Sequence, residues 1–97
     1  MKLMAFSIMD VKAKAYLRPF FMTNEAQAQR DFGDAVLNPE SMLNKHPEDY
    51  ILYNIGFFDD NAGKFEAFDT PSHVCNAVDF ISNKPIEVPN KEVEAIG

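Results

Sequence analysis

The spacing of apolar and polar residues changes several times along the chain, and the changes outline a β-β-α-β-β-α order. Residues 3–9 form an apolar run interrupted by Ser7 and ended by Asp10, as a strand would be. Residues 10–14 are polar enough for a hairpin tip. Residues 16–22 read as a second strand, and Pro19, with no amide hydrogen, demotes it to an edge or breaks it. Thr23 or Asn24 can then cap a helix whose Ala28, Phe32, Ala35 and Val36 recur at helical spacing. Gly33 weakens its middle by about 1 kcal/mol relative to alanine, and Pro39 closes it. Residues 40–45 allow one further turn or a loop. After the junction His46-Pro47-Glu48-Asp49, residues 50–58 are almost wholly apolar and rich in aromatic and β-branched types. That composition predicts a central strand, covered on both faces or covered on one and part of an interface.

Residues 59–63 carry the Asp, Asn and Gly of a short hairpin loop. Residues 64–68 alternate polar and apolar, as a half-exposed strand does. Thr70-Pro71-Ser72 predicts the start of a second helix, with Val74, Ala77, Val78 and Ile81 as its apolar stripe. Asn83-Lys84-Pro85 breaks it. The expected fold is α+β, two β-hairpins in one antiparallel sheet with helices on one face. A single domain spans residues 1–83, and an extended acidic tail spans 84–97.

Charge adds a polarity that the element pattern lacks. The chain of 97 residues carries a net charge of −6. Residues 1–30 hold Lys2, Lys12, Lys14, Arg18 and Arg30 against Asp10 and Glu25. From residue 31 onward four lysines face thirteen carboxylates. Only the first part can approach phosphate, although ordinary solvated surface would give the same asymmetry. Nine Phe and three Tyr exclude a compositionally disordered chain. The opening apolar run is too short for a membrane span and lacks a cleavage pattern.

The candidate chemistry is sparse. One cysteine, Cys75, excludes an intramolecular disulfide and a paired-thiolate zinc site, and reads as a small buried apolar residue. His46, Glu48 and Asp49 match no specific metal motif. Their expected role is structural, with a carboxylate bonding free backbone amides in the turn. Asp59, Asp60 and Asn61 lack the alternating ligands of a calcium loop. No phosphate cradle, nucleophile elbow or catalytic carboxylate pair is present. The expectation is a binding protein, not an enzyme, with no cofactor and no metal. Aromatics beside cations are more suggestive. On one unbroken strand Tyr16, Arg18 and Phe20 share a face, beside Lys12 and Lys14. Rings that stack on bases and cations that follow phosphates hold single-stranded nucleic acid. Aromatic strand residues also serve a core or a dimer seam.

Arg30-Asp31-Phe32, Pro39, the run from His46 through Asp49 and Tyr50 to Asp59, and Gly63 form a pattern that resembles one family. It is similar to the small nonstructural protein of gokushoviruses, tailless single-stranded DNA phages of the Microviridae. The likeness covers residues 1 to about 68 and is concentrated in HPEDY-x-LY-x-IG-x-FD. It implies a DNA-binding protein concerned with single-stranded DNA synthesis or packaging, in the host bacterial cytoplasm and absent from the mature virion. The expected contact residues are Lys12, Lys14, Tyr16, Arg18, Phe20 and Arg30. The expected partners are single-stranded DNA, a second copy in a homodimer, and a phage replication or capsid protein, with no membrane. The alternative is a protein-interaction factor that engages a phage or host protein without touching DNA.

Overall fold

The computed structural model of the protein describes residues 1–81. Its elements are β1 (Lys2–Asp10), β2 (Ala15–Tyr16), β3 (Phe20–Met22), α1 (Glu25–Leu37), α2 (Met42–Lys45), β4 (Tyr50–Asp59), β5 (Lys64–Asn76) and α3 (Val78–Ile81). A 3-10 turn, Pro47–Asp49, joins α2 to β4. The expected α+β architecture is present, with two departures in its order. The second strand is split, and the second helix is much shorter than predicted. The tail expected over residues 84–97 lies outside the described residues.

All strands belong to one antiparallel sheet. β1 and β4 lie at its centre, β5 forms one edge, and β2 and β3 share the other edge by pairing with successive parts of β1. The split follows from Arg18-Pro19. Leu17 still bonds β1, from its amide to the carbonyl of Ile8 at 2.8 Å. The Ser7 hydroxyl donates to the Leu17 carbonyl at 2.5 Å. The chain then bows away and returns as β3, so Pro19 is never asked for a ladder hydrogen bond.

α1 begins where the sequence places its cap. The Asn24 side chain accepts from the amide of Gln27 at 2.8 Å, and Glu25 lies in the first turn. Its Ala28, Phe32 and Val36 are buried against Phe6, Leu43, Tyr50, Leu52 and Ala77. Asn44 Nδ2 donates to the Val36 carbonyl at 2.9 Å, and Ser41 caps α2 while donating to the Ala35 carbonyl. These bonds satisfy carbonyls that the end of α1 would otherwise leave open.

β5 replaces most of the predicted second helix. Ser72, His73 and Cys75 pair with Asn54, Tyr53 and Leu52 of β4. Thr70-Pro71-Ser72 therefore caps nothing. Residues 68–71 stand opposite Ile55 alone, in a wide irregularity where Pro71 has no amide partner to lose. Phe68 turns back from this segment and packs edge-on against Phe57, with centroids 5.5 Å apart.

The Phe80 ring of α3 rests on Gly33 of α1 and stands edge-on to Phe32 at 5.9 Å. A Cβ at residue 33 would lie 2.5 Å from that ring. Intrinsic propensity favours Gly33→Ala by about 1 kcal/mol. The displaced ring opposes it, at about 1–3 kcal/mol for overpacking. Gly33→Ala is expected to lower the melting temperature; a rise would mean that α3 is not docked there.

Candidate nucleic-acid interface

The helices cover one face of the sheet only. Burial along β4 alternates, with Tyr50, Leu52 and Asn54 buried and Ile51, Tyr53 and Ile55 half-exposed. Residues opposite each other in an antiparallel pair share a face. The register therefore assigns Tyr16, Tyr53 and His73 to the face away from the helices, together with Phe21, Phe58 and Phe65. No described element covers this face.

The rings form two rows. In the first, Tyr53 stands between Tyr16 and His73, with centroids 5.7 and 5.9 Å away, both edge-on. In the second, Phe58 lies 5.5 Å from Phe21 and opposite Phe65 in the register. Tyr16, Phe21 and Phe65 retain 45%, 41% and 47% of their exposure, more than any buried core needs. Ala5 and Ser7 lie between the rows in the register and are almost wholly buried, so the rings form the accessible surface. The remaining ladder positions on this face are Leu3, Met9, Ile51, Gly56, Ala67 and Asn76, so among the described residues its ladder positions hold no carboxylate.

Irregular pairing creates this surface. Ile55 is an extra residue on β4 between the pairs Phe6–Asn54 and Ala5–Gly56. Tyr53 and Phe58 are an odd number of positions apart and would point to opposite faces of a regular strand. The bulge reverses the alternation and puts both on the open side. The Asn54 side chain stabilises it by accepting from the Gly56 amide at 3.1 Å. On β5 an extra residue, Val74, likewise separates His73 on the open face from Cys75 on the helical face.

Cations lie at the β2 edge. Lys12 and Lys14 are in the exposed turn between β1 and β2, and Arg18 is in the exposed bow between β2 and β3. Asp10 Oδ1 accepts from the amides of Lys12 and Ala13 at 3.0 and 3.1 Å, which fixes the turn. None of the three cations makes an ion pair with a described residue.

Two of the six expected contact residues lie elsewhere. Phe20 does not share a face with Tyr16. The bow at residues 17–19 resets the alternation, so Phe20 stacks on Phe6 at 5.8 Å on the helical side and Phe21 takes the open side. Arg30 is exposed on α1, beside Asp31 and Asp34, across the sheet from the rings. Tyr53, His73, Phe21, Phe58 and Phe65 were missed. For Tyr53 and Phe58 the signal was an excess of aromatics at both parities of residues 50–58, more than one covered face can absorb.

The other candidates separate cleanly. Burial, with Asp79 and Glu25 nearby, pushes the Cys75 thiol up to about 11. It is therefore a poor nucleophile at neutral pH. His73 bonds Asn76 across 2.8 Å, not Cys75. Asp59 Oδ1 accepts from the amides of Asn61 and Ala62, which holds its carboxyl below the usual range and accounts for its place in the turn. Burial, with Asp10 and Asp49 nearby, raises the Tyr50 phenol. Among the described residues no helix is long and apolar enough to cross a membrane.

The chain is 36% identical to protein ORF5 of Chlamydia phage 1 over 73 residues, which cover 71% of this chain and 76% of that protein. No solved structure matches it significantly. The model of the phage ORF5 protein family matches residues 3–80, almost the whole described sheet with its helices. The open aromatic sheet thus lies within the matched region, and the chain belongs to the phage ORF5 protein family.

Proposed function

We propose that this chain is a nonstructural phage protein that binds single-stranded DNA on the open face of its sheet during genome replication or packaging. The observation that carries the proposal is the open face, whose ladder positions among the described residues hold no carboxylate and which bears exposed Tyr16, Phe21 and Phe65, with Lys12, Lys14 and Arg18 along one edge. Bases stack on flat rings at about 1–3 kcal/mol each, with little regard to sequence. Cations beside the rings follow the phosphates. Glu25, Asp31, Asp34 and Glu66 lie on the helical side or its margin, whereas Asp10, Glu48 and Asp49 line a depression with Lys12 and lower the positive potential there. Binding is the whole activity, and no reaction is assigned.

Titration of a labelled oligonucleotide followed by anisotropy tests the proposal. Three phosphate contacts give a slope of about −2 in log affinity against log salt, or roughly a twentyfold loss between about 50 and 200 mM. Tyr53→Ala should weaken binding about tenfold without changing that slope, and Arg30→Glu should leave affinity within about twofold. No binding at low salt, or equal binding by Tyr53→Ala, would remove the sheet face from the reading. The alternative, contact with a phage or host protein without DNA, draws on the same exposed phenylalanines. A pull-down from infected cells separates the two: a captured protein lost with Phe65→Asp, while no variant altered oligonucleotide binding, would favour the alternative.

A further inference from the structure

We propose that His46, Glu48 and Asp49 hold one divalent transition-metal ion, at the end of the sheet beside the Lys12 turn. The site stands apart from the aromatic face and does not depend on the nucleic-acid reading. The 3-10 turn brings the three side chains together. Its closing bond runs from the Asp49 amide to the His46 carbonyl at 3.0 Å. Residues three apart eclipse in such a turn. One ligand atom from each of the three lies within 4.8 Å of the others. Tetrahedral bonds of about 2.0–2.2 Å to one ion place the ligand atoms about 3.3–3.6 Å from one another. His46 and Glu48 are exposed, and rotation of their side chains closes the remaining gap of about 1.3 Å.

Three observations favour a ligand over a purely structural role. First, neither carboxylate does what acidic turn residues do elsewhere in this chain. Asp10 and Asp59 each accept two backbone amides, whereas Glu48 and Asp49 accept none among the described residues. Second, neither forms an ion pair with a described cation, although Lys12 lines the same depression. Third, Tyr50 also lines it, is 8% exposed, and its phenolic oxygen has no hydrogen-bond partner among the described residues. A buried hydroxyl without a partner is uncommon and calls for a water or an ion. Tyr50 lines the same depression as the ligand set, and with an ion bound its hydroxyl would donate to a ligating carboxylate or to water on the metal, as the groups behind metal ligands do. An imidazole with two carboxylates suits zinc or manganese better than magnesium or calcium.

Calorimetric titration of the chelator-treated protein with zinc chloride, and separately with magnesium chloride, tests this. The expected result is one saturable zinc site per chain, at least about a hundredfold tighter than magnesium. Zinc affinity should fall at least about tenfold in His46→Ala and in Glu48→Gln, and about tenfold in Tyr50→Phe. Both ligand positions are exposed, so circular dichroism should match the unaltered protein, and either variant suffices if the other folds poorly. Absence of saturable zinc binding would overturn the proposal. So would zinc affinity untouched by both ligand variants, or abolished instead by His73→Ala or Cys75→Ala.

Discussion

Replacing Lys12 and Arg18 together by glutamate should lower the affinity for single-stranded DNA more than about a hundredfold at low salt. At about 50 mM salt, counterion release makes each phosphate contact worth about a decade in affinity. Removing two contacts therefore gives about two decades, and the reversed charges add repulsion to what remains. The salt slope should also shrink by about 1.4, because two of three contacts are gone. The fold should survive. Both side chains are exposed and unpaired among the described residues, and such substitutions usually stay within about 0.5 kcal/mol. Anisotropy at several salt concentrations checks the slope, and circular dichroism checks the fold. Unchanged affinity at low salt would move the binding surface away from the β2 edge. The contrast with Tyr53→Ala is informative. Loss of a ring lowers affinity at every salt concentration, whereas loss of a cation changes how affinity depends on salt.

The elements that sequence reading located correctly are those whose signals are local. Asn24 and Pro39 bracket α1 because capping and proline geometry act within one turn. Pro19 breaks the second strand because the missing amide is its own. Residues 70–76 went wrong because their local signal was sound and a distant partner outweighed it. Thr70-Pro71-Ser72 suits a helix start, but β4 presented an unpaired edge, and pairing Ser72, His73 and Cys75 with it satisfied both strands. The helix was left with Val78–Ile81 only.

The candidate site was half legible for the same reason. Lys12, Lys14, Tyr16 and Arg18 are close in sequence and lie on or beside β2, at one edge of the sheet. The other rings come from β3, β4 and β5 and meet through cross-strand register, which no local pattern encodes. Phe20 was misplaced because period-two reasoning ran through a strand that the Arg18-Pro19 bow interrupts. A thirteen-residue helix with two single-turn companions cannot cover both faces of a five-stranded sheet, so some of the aromatics had to remain outside.

Gly56→Ala should be the most damaging single-methyl change in the sheet, costing roughly 3 kcal/mol or more. The residue has φ +154°, a conformation that side chains disfavour. A Cβ there would lie 2.1 Å from the Glu66 carbonyl oxygen and 3.0 Å from the Ala67 Cα. Both obstacles are backbone of the neighbouring strand, so no rotamer change relieves them, and β4 and β5 must part. Small domains have about 5–15 kcal/mol of stability to lose, so the urea midpoint should fall sharply. A midpoint within error of the unaltered protein would show that the strands approach less closely than described. The functional consequence follows from the same atoms. Gly56 closes the Ile55 bulge, and that bulge puts Tyr53 and Phe58 on one face. Loss of oligonucleotide binding by Gly56→Ala in conditions where it remains folded would therefore tie the irregular register, rather than ring content alone, to the proposed binding.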